Sequence, residues 1–214
     1  LNQTVTVSRT VERLVTGQAT SDGAGVKLNR VLTQDLQQRL DPFLMLDAFG
    51  SDKPDDYIAG FPDHPHRGFE TITYMIAGRM RHRDSAGNEG LLDDGAVQWM
   101  TAGRGITHSE RFEELRAHGG RMNGIQTWVA LPDGQEEVDP TFYHHGVEDL
   151  PTYEGGGMWA RLVVGKAFGA EAKVKTHSPM FYAHWRLDAG ASARYADEDA
   201  LWDEARGVAD PFEY

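Results

Sequence analysis

The sequence predicts an all-β protein, built as a barrel or sandwich of short strands. Runs rich in Val, Ile, Thr, Tyr and Trp recur roughly every 8 to 12 residues. Glycine- and proline-containing turns separate these runs, and apolar residues recur with a period of two more often than with the helical period. With 214 residues, the chain is long enough to bury a core in one large domain or two small ones.

The first predicted strands lie in the amino-terminal quarter of the chain. Apolar and polar residues alternate from Val5 through Val7 and Val11 to Val15, which is typical of a strand. The turn-rich residues 21–25 then lead into a second predicted strand at 26–32. The run DPFLMLDAFG that follows is apolar and closed by a glycine, which predicts a buried segment.

The clearest alternation of apolar and polar residues lies in the middle of the chain. The run FETITYMI is typical of a strand, and glycine turns separate it from the runs that follow. Gly103 and Gly105 allow a tight bend that would direct the following residues back across the mouth of a barrel. The strands predicted here are residues 69–76, 80–83, 91–94, 96–101 and 125–131.

The composition becomes acidic and proline-containing after residue 132, which predicts a linker with one short strand at 141–145. Further strands and one helical segment are predicted at 158–165, 180–187 and 199–206. The predicted organisation is an amino-terminal barrel at 1–132, a linker at 133–153 and a partial second domain at 154–214.

Charge and composition exclude several classes of protein. The net charge of −12 argues against direct nucleic-acid binding, which requires a basic surface. The absence of cysteine excludes a thiolate nucleophile and cysteine-ligated metal sites. No apolar run approaches the roughly 20 residues of a membrane helix, and the first residues lack a signal-peptide pattern. We therefore expect no membrane association and a cytoplasmic location.

Two short motifs carry the residues best suited to chemistry. In an extended segment, side chains two positions apart share a face, so His64 pairs with His66, and His108 pairs with Glu110. If the two faces meet inside a barrel, three imidazoles and one carboxylate converge. Such a set suits a divalent transition metal, and an added carboxylate with vacant positions favours non-haem Fe(II).

The alternative interpretation of these four residues is a hydrogen-bonded polar cluster without a metal. A structural zinc site would be closed at four ligands, whereas a six-coordinate ion with four protein ligands keeps two positions for O₂ or a chelating substrate. His82 lies two residues before Asp84, and we expect it at the surface or in a turn. The residues expected in the core are Phe43, Met45, Trp99 and Met100.

The segments HPHRGFETITYM and DGAVQWMTAGRGITHSE, together with DPFLMLDAFG upstream, resemble the pirins, a family of the cupin superfamily. The resemblance covers the whole first half of the chain. Residues that fall on the general cupin pattern are Gly60, His64, His66, Glu70 and Gly78 in the first motif, and Gly95, Gly103 and His108 in the second.

The resemblance implies a jelly-roll-like cupin β-barrel with a metal, usually iron, in the amino-terminal barrel. The ligands carried over from the family are His64, His66, His108 and Glu110. Glu70 is implied to support the site without binding the metal. Pirins are bicupins, but few residues follow the triple glycine at 155–157, so we expect the second barrel to be incomplete in this chain.

The resemblance also implies an activity of the quercetin 2,3-dioxygenase type. The expected substrates are a flavonol-like aromatic molecule and O₂, and the expected cofactor is Fe(II), with Cu, Ni, Mn or Zn as alternatives. Glu110 is expected to accept the proton of the substrate hydroxyl. Two other functions stay open: a metal- or redox-dependent regulatory protein that acts through a transcription factor or metabolic enzyme, and a zinc-dependent isomerase.

Overall fold

The computed structural model describes residues 10–193, and most of their regular structure is β-strand. The strands are β1 (Gln18–Asp22), β2 (Val26–Leu32), β3 (Phe43–Ser51), β4 (Phe61–His66), β5 (Phe69–Ala77), β6 (Met80–Asp84), β7 (Glu89–Leu92), β8 (Val97–Thr101), β9 (Ile106–Arg111), β10 (Met122–Ala130), β11 (Thr141–His145), β12 (Thr152–Gly155), β13 (Met158–Val164), β14 (Lys166–Ala167), β15 (Ala170–Glu171) and β16 (Tyr182–Leu187). The short helices are α1 (Gln34–Gln37) and α2 (Glu113–His118), with 3-10 turns at Pro54–Asp56 and Val147–Asp149.

The all-β prediction is confirmed, and so are the strands predicted through the middle of the chain. The strand predicted around Val11 and Val15 is wrong, because the first described strand begins only at Gln18 and the Val11 side chain is 82% exposed. Alternation alone cannot form a strand where no neighbouring strand pairs with it. Val5, Val7 and the predicted helix at 199–206 lie outside the described residues.

The chain divides into two compact units, and the first is Leu14–Val147. This unit contains a seven-stranded sheet in the order β1-β2-β3-β10-β5-β8-β11 and a four-stranded sheet in the order β4-β9-β6-β7. All of its strand pairs are antiparallel. The strand predicted within the linker, β11, pairs with β8 at the edge of the large sheet.

An apolar cluster fills part of the space between the two sheets of the first unit. Buried residues from the large sheet meet buried residues from the small sheet, so the two sheets face each other. Residues of this apolar cluster include Val26, Leu28, Phe49, Met75 and Met122 from the large sheet and Phe61, Met80 and Leu92 from the small one. The first unit therefore has the cupin barrel architecture that was predicted.

The register of the small sheet positions the predicted site. His64 on β4 stands directly opposite His108 on β9, and Asp84 on β6 stands opposite His108 from the other side. His82 stands opposite Glu110 in the same way. Because side chains alternate across a strand, this register directs all five side chains to one face of the sheet.

Gly103 sits in the bend between β8 and β9, as the sequence predicted. Its φ is +50°, and a Cβ atom at this position would lie 2.0 Å from the carbonyl oxygen of Val138. Any other residue would force that backbone apart. The bend thus requires glycine, and it delivers His108 to the interior.

The second unit includes the described residues from Glu148 onwards. It contains a three-stranded sheet in the order β12-β13-β16 and the small pair β14-β15. Met158, Ala160 and Leu162 alternate along β13 and are buried. The bicupin organisation, and the division at 132 and 153, stay predictions. Across residues 10–193, no helix combines the length and apolar character that a membrane crossing requires.

Candidate metal centre

Three histidines from β4 and β9 face one another inside the first unit. One ring nitrogen from each of His64, His66 and His108 lies within 4.8 Å of the others. The Nε2 atoms of His64 and His108 are 3.0 Å apart. The structure therefore brings together the three imidazoles that the two sequence motifs singled out.

Two of the three imidazoles, His64 and His66, line an open cleft, and His108 is buried next to them. His64 is partly exposed, His66 is 7% exposed and His108 is 1% exposed, so the cluster runs from the cleft into the interior. The cleft has a volume of about 660 Å³, and its walls include Phe69 and Trp128. The His66 ring lies edge-on to both aromatic rings, at centroid distances of 5.0 and 5.1 Å. A flat apolar molecule would find stacking surfaces beside the imidazoles.

The carbonyl oxygen of Pro62 determines which tautomer His64 adopts. Nδ1 of His64 lies 2.8 Å from the carbonyl oxygen of Pro62, which can only accept a hydrogen bond. Nδ1 therefore carries the proton of the neutral ring. The lone pair is left on Nε2, the atom that faces His108.

The two buried imidazoles are neutral at neutral pH. Burial, together with the neighbouring histidines, lowers the pKa of His66 to about 3. Burial also lowers the pKa of His108 to about 3, again with a contribution from the nearby rings. A neutral imidazole keeps a lone pair available for a metal, whereas an imidazolium does not.

The distances fit a divalent transition ion. Imidazole nitrogens lie about 2.0–2.1 Å from such an ion, so two of them bound at a right angle are about 3 Å apart. The separation between Nε2 of His64 and Nε2 of His108 is 3.0 Å. Three imidazoles are a donor set that Zn, Cu, Fe and Ni accept.

Glu110 lies two residues beyond His108 on β9, and its carboxylate is 1% exposed. It faces polar side chains of the large sheet: Gln126 donates to Oε2 over 3.2 Å, and Thr73 and Gln98 lie 3.4 Å from Oε1. Burial raises the pKa of this carboxyl. Among the described residues, the metal-ligand group comprises the three histidines without Glu110. Its role as a fourth ligand stays a prediction.

His82 was expected at the surface or in a turn, and that expectation is wrong. Its side chain is 0% exposed, and its ring stacks on Phe142 with centroids 4.2 Å apart and an angle of 11° between the planes. Nδ1 of His82 lies 3.3 Å from Nδ1 of His108. Period-two counting from the buried Met80 would have placed His82 inside, but the turn residues after Asp84 suggested a loop.

Asp84 holds the other side of the His82 ring. Its Oδ2 lies 3.2 Å from Nε2 of His82, and both side chains are fully buried. Although burial opposes ionisation, hydrogen bonds from Asn88 and His82 lower the pKa of Asp84. A buried carboxylate that accepts several hydrogen bonds remains charged at neutral pH.

Comparison with known proteins decides the family. Residues 25–129 match the family model for pirin. The chain is 49% identical over 179 residues to a pirin-like protein from Caulobacter vibrioides, a match that covers 80% of this chain and 61% of the relative. It is 38% identical over 186 residues to pirin from Homo sapiens, covering 86% of this chain and 61% of that protein. The chain belongs to the pirin family.

The chain also resembles a solved structure. The structure of quercetin 2,3-dioxygenase from Acinetobacter baumannii has a TM-score of 0.72 and 32% identity, and the match covers 79% of this chain and 61% of that one. As a pirin, the chain thus spans about 61% of the length of these relatives.

Glu70 belongs to the first cupin motif, and its environment in this pirin is well defined. The side chain is 1% exposed, and Oε1 accepts hydrogen bonds from Nε1 of Trp99 at 3.0 Å and from the hydroxyl of Thr101 at 2.8 Å. These bonds tie β5 to β8 on the face of the large sheet opposite to Thr73, the β5 residue that faces Glu110. The implied supporting role of Glu70 for the metal stays a prediction.

Proposed function

We propose that this pirin binds one divalent transition metal at the histidine cluster and cleaves the ring of a flavonol-like substrate with O₂, in the manner of a quercetin 2,3-dioxygenase. The observation that supports this most directly is the 3.0 Å separation between Nε2 of His64, which lines the aromatic cleft, and Nε2 of the buried His108. The similarity to the Acinetobacter baumannii quercetin 2,3-dioxygenase supports the choice of reaction.

The proposed ligands are His64, His66 and His108, with Glu110 as the fourth. The metal we propose is Fe(II), with Cu, Ni, Mn or Zn as alternatives, since each accepts imidazole ligands. When bound, such an ion supplies Lewis acidity toward a substrate hydroxyl and, for iron or copper, redox chemistry with O₂. The chain itself contributes the ligands, the pocket and the proton acceptor.

The walls of the cleft orient the substrate. Phe69 and Trp128 pack against each other at a centroid distance of 4.7 Å, and both line the cleft beside His66. Their faces and edges offer offset or edge-on contacts to a flat aromatic molecule. A substrate seated there would displace water from the exposed side of the imidazoles, which strengthens polar interactions at the site.

Glu110 is the proposed acceptor of the substrate proton. A buried carboxylate whose pKa is raised toward the working pH is a stronger base than an exposed one. The hydrogen bonds from Gln126 and Thr73 hold the carboxylate in place before it accepts the proton. Glu110 would therefore take the hydroxyl proton at one of its two oxygens.

Anaerobic reconstitution tests the proposal. The protein is loaded separately with Fe(II), Cu(II), Ni(II) or Mn(II), its metal content is measured, and the loss of quercetin absorbance is followed after air is admitted. We expect turnover with at least one metal and release of carbon monoxide. His66→Ala should abolish both metal uptake and turnover, whereas His118→Ala, at an exposed histidine outside the site, should preserve both.

The outcomes separate the competing functions. A fully loaded protein that turns over no quercetin with any of the four metals contradicts the dioxygenase proposal. Zinc as purified, with turnover that does not depend on O₂, would favour the isomerase alternative. Metal uptake without turnover, together with recovery of one stoichiometric protein partner that His108→Ala loses, would favour the regulatory alternative.

A further inference from the structure

The state of His108 decides whether the proposed centre can bind a metal, and both ring nitrogens of His108 have defined neighbours. Nε2 lies 3.0 Å from Nε2 of His64, and Nδ1 lies 3.3 Å from Nδ1 of His82. A neutral imidazole carries one proton, on one nitrogen or the other. If that proton sits on Nε2, His108 has no lone pair to offer toward His64. The placement of the proton therefore matters.

Hydrogen bonds on both oxygens fix the carboxylate of Asp84. Its Oδ1 accepts from the backbone N–H groups of Ala86 and Asn88, each at 2.9 Å, and its Oδ2 accepts from Nδ2 of Asn88 at 2.9 Å. A carboxylate with three such donors is fixed in orientation and can only accept. Nε2 of His82, which lies 3.2 Å from Oδ2, must therefore carry a proton.

The opposite nitrogen of His82 is then an acceptor in the neutral ring. Nε2 of Gln98 lies 3.3 Å from Nδ1 of His82 and 3.4 Å from Oε1 of Glu110. A carboxylate accepts hydrogen bonds, so the Gln98 atom between the two groups is the amide nitrogen, a donor. The lone pair at Nδ1 of His82 is thus shared in a bifurcated hydrogen bond, since Nε2 of Gln98 and Nδ1 of His108 both lie 3.3 Å from it.

We infer that Asp84 and His82 are positioning residues that fix the tautomer of His108. Asp84 accepts from Nε2 of His82, and Nδ1 of His82 accepts from Nδ1 of His108. Nε2 of His108 is thereby left with its lone pair directed toward His64 and the proposed metal. The carbonyl of Pro62 does the same for His64.

This inference rests on the proposed metal site and extends it. Partners that hold the free N–H of a metal-bound imidazole set its tautomer and orientation, and their loss typically weakens metal binding 10- to 100-fold. The stack of His82 on Phe142 fixes the plane of the His82 ring, so one ring nitrogen stays directed at Asp84 and the other at His108. The side chains of Asp84, His82 and His108 are all buried, so water does not compete for the hydrogen bonds between them.

Asp84→Asn is the sharpest test, because it should reverse the donor–acceptor direction of the hydrogen bonds between Asp84, His82 and His108. The backbone N–H groups of Ala86 and Asn88 would hold the amide oxygen where Oδ1 now lies, so the amide nitrogen would point at Nε2 of His82. The Asn88 side-chain amide, whose Nδ2 now donates to Oδ2, would turn to offer its oxygen to that nitrogen. His82 would then carry its proton on Nδ1 and donate to His108. The proton of His108 would move to Nε2, and Zn(II) binding should weaken about 10- to 100-fold.

The matched control is Asp94→Asn. Asp94 also accepts a backbone hydrogen bond, from Gly78, but it is exposed and touches none of the histidines. Its substitution should leave Zn(II) affinity unchanged. Affinity is measured by competition with a chelator, on wild type and variants, with the folded state of each checked by circular dichroism.

Two substitutions of His82 separate positioning from packing. The oxygen and nitrogen of an amide flank one carbon, as the two nitrogens of an imidazole do, so His82→Gln can accept from His108 and donate to Asp84. His82→Leu keeps the apolar contact with Phe142 and loses both hydrogen bonds. We expect His82→Gln to retain most of the Zn(II) affinity and His82→Leu to lose about 10- to 100-fold.

Nitrogen NMR of the histidine rings gives a readout that needs no activity. In the Zn(II)-loaded wild type, His82 should carry a proton on Nε2 and His108 should carry its proton on Nδ1, with both positions reversed in Asp84→Asn. The inference is contradicted if wild-type His82 carries a proton on Nδ1, or if Asp84→Asn and His82→Leu bind Zn(II) like wild type. A wild-type protein that takes up no Zn(II) contradicts the proposed function, and spectra of the metal-free protein then test the Asp84–His82 contact alone, through the expected proton on Nε2 of His82.

Discussion

The interior of the first unit has an apolar part and a polar part, and the same strands build both. On β6, Met80 joins the apolar cluster while His82, on the same face, reaches His108. On β10, Met122 lies in the apolar cluster while Gln126 donates to Glu110. A shift of two to four residues along a strand thus changes the environment from a hydrophobic core to a polar site.

The two parts contribute to stability in opposite ways. Burial of apolar surface stabilises the fold by roughly 25 cal/mol per Å². Burying a polar group lowers stability unless the group is hydrogen-bonded. The cost of removing the group from water is largest for a carboxylate, such as that of the buried Glu110. This difference predicts that substitutions in the two parts have separable effects on metal binding and on folding.

The largest expected effect comes from the polar part. His108→Ala removes the most buried of the three imidazoles, along with the ring that links His64 to His82. We expect stoichiometric metal uptake to be lost, measured as bound metal per chain after dialysis. A folded His108→Ala protein that retains one tightly bound metal ion per chain would break the comparison.

The next largest effect comes from the apolar part. Leu92 is 0% exposed in the apolar cluster, so Leu92→Ala should lower the free energy of unfolding by about 2–5 kcal/mol, through lost burial and the cavity left behind. Urea denaturation measures this loss. Metal stoichiometry below the unfolding transition should match wild type, and its loss in the folded variant would show that the two parts are not separable.

The smallest expected effect is a dependence of metal-free stability on pH. The folded-state pKa values of His66 and His108 are lowered to about 3, while an unfolded histidine titrates near 6.5. Between these values the unfolded chain binds more protons, so stability falls as pH falls. We expect a loss of about 1–2 kcal/mol between pH 7 and pH 5.5 in the presence of a chelator.

Glu110 acts in the opposite direction on this pH dependence. Its raised pKa means that the folded chain binds a proton more readily, so this contribution is present at low pH and is lost as pH rises through that pKa. Glu110→Gln should therefore steepen the loss of stability on acidification. His118→Asn, at an exposed residue, should leave the pH dependence unchanged. Equal stability of Glu110→Gln at the two pH values, where the opposing contribution is absent, would contradict the neutral state of the buried imidazoles.

Much of the candidate site could be predicted from local spacing. His64 and His66 share a face because strand side chains alternate, and two glycines mark the bend that delivers His108. The sequence could not predict that His64 stands opposite His108, because strand register depends on pairing between distant segments. The resemblance to pirins indicated which residues converge before any register was known.

What local spacing missed depends on tertiary pairing. His82 was expected outside because turn residues follow it, yet β6 pairs with β9 and directs His82 inward. The strand β11 was predicted at 141–145, but its partner was not: it pairs with β8 and supplies Phe142 against His82. In both cases the partner strand decides the position of the residue, and composition carries no information about that partner.

Anomalous X-ray diffraction from crystals of the metal-loaded protein, recorded on both sides of the absorption edge of the added metal, tests directly whether one metal ion binds between the three histidines. We expect one anomalous peak per chain, within bonding distance of a ring nitrogen of each of His64, His66 and His108, with Nε2 as the ligand atom in His64 and His108. A peak elsewhere in the chain, or a loaded crystal without a peak between these three imidazoles, would contradict it.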